Sequence, residues 1–154
     1  MLVALGRLLL ALNVLWFGAG FVFFALRPAR AAKILVPREA RTEPLFRTIV
    51  AALPFLGGMN LALAVLAGLL LLVGDGFVDP RHAALYFAVF GLAHATQFAF
   101  NLPVLLAGRR GAGLWPVTRG PMRFIFVTDG GLALANVALA GWLALSGARA
   151  VVSA

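Results

Sequence analysis

No cysteine occurs in the 154 residues, which excludes disulfides, iron–sulfur clusters and thiol redox chemistry. Charge is scarce too. Only 12% of residues are Asp, Glu, Lys or Arg, where a soluble domain carries about 25%. Five acidic residues and two histidines leave the apolar segments with one Asp and one His. A closed zinc or di-metal centre needs three or four such ligands, so none is expected. Nucleophile elbow, P-loop and dinucleotide-binding fingerprints are all absent, and no soluble domain is available to hold a large substrate.

What is abundant is hydrocarbon. Hydrophobic residues make up 63% of the chain and the mean hydropathy is +1.02, the composition of an integral membrane protein rather than of a soluble fold. One domain is expected at this length. Four apolar spans, about 2–26, 46–73, 83–107 and 122–146, each reach the roughly 20 residues that a bilayer requires. The first lacks a basic leading region and exceeds the apolar run of about 7–15 residues typical of a cleavable signal, so it is read as the first membrane helix. Pro28, Pro80 and Pro121 are expected just outside span ends. The predicted fold is all-α: a left-handed, integral membrane four-helix bundle with short loops.

The basic residues are unevenly distributed. Arg27, Arg30, Lys33, Arg38, Arg41 and Arg47 fall in or beside the first connection, and Arg109, Arg110, Arg119 and Arg123 in or beside the third. That is ten of thirteen on one side, with Arg7, Arg81 and Arg149 on the other. The positive-inside rule therefore predicts cytoplasmic first and third connections and both termini outside. A pI near 11.9 would suit nucleic acid, but these charges sit in short loops beside apolar spans. Their expected partners are anionic lipid head groups, Arg27, Arg30, Lys33, Arg38, Arg41, Arg109 and Arg110 above all. The first connection, Arg27 to Pro44, is read as a solvated loop whose Ile34-Leu35-Val36 can dip into the inner interface, with Tyr86 and Trp142 placed near the outer interface and His82 in solvent.

Few polar residues interrupt the spans, and they fall at helical spacing. His94, Gln97 and Asn101 share one face of the third span. Asn13, Asn60 and Asn136 lie on small-residue stripes of the other three, where small side chains permit close approach and amides bond across the seam. Counted from the predicted cytoplasmic end, Asn13, Asn60, His94 and Asn136 all lie about 13–15 residues in, or ~20 Å at 1.5 Å per residue. Asp129 is expected one layer lower, with Gln97 and Asn101. A carboxylate at such depth costs about 2.5–3.5 kcal/mol on insertion scales and must be protonated, paired or wet; the expectation is a neutral hydrogen-bonded pair with His94. Pro54 and Pro103 are predicted to kink their helices and open the bundle toward Asp129.

The second and fourth spans align from Gly57-Gly58 and from Gly130-Gly131, which suggests two repeated hairpins. In layout, with a first span closing at Arg27-Pro28 and a glycine-rich second span at Leu56-Gly-Gly-Met-Asn60, the chain resembles the DoxX-like small four-helix membrane proteins. That resemblance implies an association with quinone-linked redox complexes, although this chain carries no glutamate in its second span. Three functions are consistent with the residues. One is a non-catalytic accessory or scaffold subunit, with protein partners or further copies of itself. A second binds a quinone, sterol or lipid in an intrabundle polar pocket formed by His94, Gln97, Asn101, Asp129, Asn136, Asn60 and Asn13. The third is a membrane enzyme or proton-coupled carrier using Asp129 and His94. His82 and His94 are twelve residues apart, ~18 Å along a helix, so a bis-histidine haem is excluded and only a single-His haem on His94 stays open.

Overall fold

A computed structural model describes residues 2–73 and 79–152, with side chains described for 3–73 and 79–147. The expected turn at Gly74–Val78, within the second connection, and the Arg149 side chain lie outside these. The backbone runs through α1 (Leu2–Phe21), a π-helical turn (Val22–Leu26), α2 (Pro28–Leu35), a 3-10 turn (Glu39–Thr42), α3 (Pro44–Val73), α4 (Pro80–Arg109) and α5 (Gly120–Val152). Four helices are long and apolar enough to cross a bilayer, so the fold is an all-α bundle of a multi-pass membrane protein. At 1.5 Å per residue, the 30 residues of α3 and of α4 run ~45 Å, past a ~30 Å hydrocarbon layer at both ends.

Proline marks the helix starts from within. Pro28, Pro44 and Pro80 are the first residues of their helices and Pro121 the second residue of α5; Pro28 lies just outside the first span as expected, whereas Pro80 and Pro121 fall inside the third and fourth. A proline in the first turn forfeits no hydrogen bond, because the first amides of a helix have no acceptor anyway. Asp79 caps α4 by accepting from the Arg81 amide at 2.8 Å. α4 ends at Arg110, and the left-handed Gly111 (φ 77°) follows, the usual glycine stop. Helices α3 and α4 continue through Pro54 and Pro103.

The bundle is two hairpins, α1 with α3 and α4 with α5. Missing side chains let each hairpin close. A Cβ on Gly57 would stand 2.5 Å from the Ala25 backbone nitrogen, and one on Gly20 would stand 2.5 Å from Asn60 Oδ1. In the other hairpin, Gly91 faces Val137 (2.7 Å to Cγ2) and Gly130 faces the Phe98 ring (3.0 Å). Between the hairpins lies the main core, where Leu10, Phe17, Phe87 and Phe90 are fully buried and Ala67 and Ala83 fill the narrower gaps. The bundle's outside is apolar. Leu72 is 83% exposed and Phe55 81%, which is the surface hydrocarbon accepts and water does not.

The first connection is not the solvated loop that its charge suggested. Ala31 and Ala32 of α2 are buried against Leu53, with Phe23, Phe24, Phe46, Ile49 and Val50 around them. The basic residues of α2 take the opposite face, Arg30 and Lys33 being exposed. Arg41 is held within the protein, donating to the Lys33 carbonyl (2.7 Å) and the Val36 carbonyl (3.1 Å). It satisfies free carbonyls at the end of α2 with two of its five N–H groups. Arg27, Arg38, Arg109 and Arg110 are exposed. His82, also exposed, lies 3.4 Å from Asp79.

Two neighbouring glycines separate packing from propensity. Gly57→Ala is expected to destabilise by about 1–3 kcal/mol through overpacking against Ala25. Gly58→Ala, whose Cβ meets nothing within 4 Å, should be neutral or stabilising by up to ~1 kcal/mol. Thermal unfolding of the two variants in detergent distinguishes the cases; equal midpoints would mean that the α1–α3 contact is not close.

Candidate functional site

At mid-bundle, α1, α4 and α5 each turn polar side chains inward. Asn13, His94, Asp129 and Asn136 are all 0% exposed. Asn136 donates from Nδ2 to the Leu132 carbonyl at 2.8 Å, one turn back in its own helix. Asn13 Nδ2 donates to Asn136 Oδ1 at 3.0 Å. His94 Nε2 lies 2.9 Å from Asn13 Oδ1, and His94 Nδ1 lies 3.0 Å from Asp129 Oδ1. The same carboxylate oxygen accepts from Trp16 Nε1 at 2.8 Å. Phe17 stacks on the imidazole with centroids 4.6 Å apart, closing that face to any other group.

This chain of contacts fixes the protons. The Leu132 carbonyl can only accept, so the Asn136 amide must present Nδ2 to it and Oδ1 to Asn13. Asn13 then presents Nδ2 to Asn136 and Oδ1 to the imidazole. An amide oxygen only accepts, so His94 Nε2 carries a hydrogen. Nδ1 is left with two choices, and both place one proton between Nδ1 and Asp129 Oδ1. Either a protonated carboxyl donates to a neutral imidazole, or an imidazolium donates to a carboxylate. A neutral ring facing a bare carboxylate would oppose two lone pairs at 3.0 Å. The pair is thus neutral as a unit, which suits its depth in an apolar bundle. Both ring nitrogens are engaged within the network.

Beside the pair lies a groove of about 740 Å³. Its walls come from the α1 segment Val14–Phe24 including the π-helical turn, from Pro121, Phe124 and Ile125 of α5, and from Asn60 and Gln97, with Ile34 and Arg27 toward the first connection. Pro54 and Pro103 do not line it, so the opening follows the π-helical turn and not the predicted proline kinks. Three helices set it against the pair. Gln97 is three residues from His94, Ile125 is four from Asp129, and Trp16 reaches both sides, lining the groove while hydrogen-bonded to the acid. One helical turn, ~5.4 Å, therefore separates groove from acid along α5. Phe124 meets the Trp16 ring edge-on at 5.4 Å.

The expected residues thus divide into three groups. Asn13, His94, Asp129 and Asn136 form the network. Gln97 and Asn60 go to the groove instead: Asn60 spends its amide on the Leu56 carbonyl (2.8 Å) and packs on Gly20, while the Gln97 side-chain amide has no hydrogen-bond partner among the described residues. Asn60 leaves the predicted layer because α3 is registered on α1 at Gly20, seven residues from Asn13, which is ~10 Å along the helix. Asn101 leaves the site altogether. Its Nδ2 donates to the Gln97 carbonyl and its Oδ1 accepts from Trp115 Nε1 at 3.0 Å, tying the third connection to α4. The predicted lower layer of Asp129 with two amides does not form. Arg109 lines a separate cleft of about 620 Å³ with Arg119, Trp115 and Pro37. Trp16 and Trp115 are the residues that sequence reasoning missed. A clue existed, since a tryptophan N–H in an apolar span needs an acceptor and Trp16 shares a helix face with Asn13.

Nitrogen-15 NMR of the imidazole should find His94 protonated at Nε2, and Asn136→Leu should blur that preference by freeing the Asn13 amide to rotate. A wild-type ring protonated at Nδ1 alone would break the proton assignment. Asp129→Leu is expected to fold, whereas Asp129→Lys puts an ammonium among donors and should not; yields of monodisperse protein in detergent compare them. No family model matches this chain, nor does any curated protein or solved structure, so its site is read from its own geometry.

Proposed function

We propose that this protein is an integral membrane binder of a lipophilic ligand, of the quinone, sterol or lipid class, which lies in the groove between the hairpins. The observation that carries this reading is the groove itself. Its volume falls inside the roughly 300–1,000 Å³ of small-molecule sites, and its make-up follows their pattern of apolar walls with a few convergent polar groups. Trp16, Phe21, Phe124 and Ile125 supply the walls, and the unpartnered Gln97 amide supplies the polar contact. A scaffold subunit would need apolar outer faces only; it has no use for a cleft that ends beside a buried acid. If the first and third connections are cytoplasmic, the groove opens in the inner half of the membrane. Arg27 then stands at its mouth, at the level of head groups. The DoxX-like layout leans toward the same ligand class.

Filling the groove tests this. A Cβ on Gly18 meets nothing within 4 Å and Gly18 lines the groove, so Gly18→Phe should occupy the space without disturbing the backbone. Native mass spectrometry of the wild-type chain is expected to show a retained lipophilic molecule, and the Gly18→Phe variant, folded to the same extent, should lose it. A wild-type chain that never retains one, or a variant that retains it unchanged, contradicts the proposal.

A further inference from the structure

Asp129 holds one atom that nothing among the described residues satisfies. Oδ1 receives both Trp16 and the proton shared with His94, while Oδ2 is buried without a hydrogen-bond partner among the described residues. In native proteins such an orphan calls for an explanation. The proton count supplies its character. With one proton between Oδ1 and Nδ1, Oδ2 is either a carbonyl oxygen or a carboxylate oxygen, and in both states it can only accept. Whatever meets the acid head-on must therefore be a donor. Trp16 is the only groove-lining side chain among the described residues hydrogen-bonded to Asp129, and it is half-buried, in a T-shaped contact with Phe124. Its indole is the partition between groove and acid.

We infer that the groove selects a lipophile whose polar head is a hydroxyl, and that this hydroxyl donates to Asp129 after the Trp16 indole swings aside. This deepens the binding reading above and rests on it. A head that only accepts, such as a ketone, ether or ester carbonyl, finds its partner at the Gln97 amide but is repelled at the acid. The polarity that sorts ligands is thus set ~10 Å away, where the Leu132 carbonyl orients Asn136. Trp16 is a positioning residue in this scheme: its bond to Oδ1 holds the indole across the ligand's path to the unmet Oδ2.

Four probes test the inference on the full chain in detergent by isothermal titration: 4-dodecylphenol and 1-tetradecanol, each beside its methyl ether. The hydroxyl compounds are expected to bind roughly tenfold more tightly than their ethers, the scale of one hydrogen bond to a buried acceptor. Only they should move the Trp16 indole resonance, identified by its loss in Trp16→Phe. The size of the preference in each pair tells whether the hydroxyl sits on an aromatic or an aliphatic body. Asp129→Leu should erase the preference. Trp16→Phe, which keeps an aromatic wall but removes the hydrogen bond that holds the partition across the acid, should tighten the hydroxyl compounds severalfold and leave the ethers unchanged. If no probe binds, the binding reading falls. If hydroxyl and ether bind alike, or the preference survives Asp129→Leu, the binding reading stands and the hydroxyl assignment is overturned. Should Asp129→Leu fail to fold, Trp16→Phe decides, and unchanged affinity for the hydroxyl compounds overturns the assignment.

Discussion

Hydrogen bonding in a place without water is the constraint on which this structure depends. Within a hydrocarbon layer, hydrophobic burial does not distinguish a helix partner from a lipid tail, so close packing and polar satisfaction decide how helices assemble. The two hairpins here obey that division. Inside each hairpin the helices approach through glycine, Gly57 on Ala25 and Gly91 on Val137. Between the hairpins, bulky side chains such as Phe17, Phe87 and Phe90 keep the backbones apart. There the polar chain crosses: Asn13 and Trp16 from one hairpin meet His94, Asp129 and Asn136 of the other.

The same chain turns a packing device into a chemical one. An amide pair alone would fix register and little more. Extending it to an imidazole and a carboxyl, with one end anchored on a main-chain carbonyl, gives every donor and acceptor a forced direction as far as Asp129 Oδ1. The direction runs out at Oδ2, which is left as an acceptor without a partner among the described residues. A π-helical turn at Val22–Leu26 accompanies that groove, in keeping with the habit of such turns to appear at functional sites.

Much of the fold was legible because the bilayer imposes simple rules. Length and hydropathy located four spans to within a few residues, since apolar runs of this size have few alternatives. The pairing of His94 with Asp129 was legible from cost alone, although counting placed them a layer apart: two ionisable groups in hydrocarbon need each other. Other expectations failed for local reasons. Asn60 was placed in the central layer by counting from helix ends, which assumes aligned ends; α3 is instead set by its fit to Gly20. The first connection was read as solvated because its basic residues dominate its composition, while two small alanines, Ala31 and Ala32, dock it on α3. Asn101 looked available and turned out to be occupied by Trp115.

By itself, then, the sequence determined that this chain lies in a membrane as four helices and that its few polar side chains must turn inward, because hydrocarbon solvates neither an open backbone nor an ionisable group. It could not determine who meets whom. Whether Gln97 joined the acid or the groove, and which tryptophan reached Asp129, depended on helix rotation and on register differences of one or two turns. Those are set by atom-scale contacts at Gly20, Gly57 and Gly91. A periodic sequence pattern gives a helix its face but not its height against a neighbour, and only the tertiary structure supplies the second.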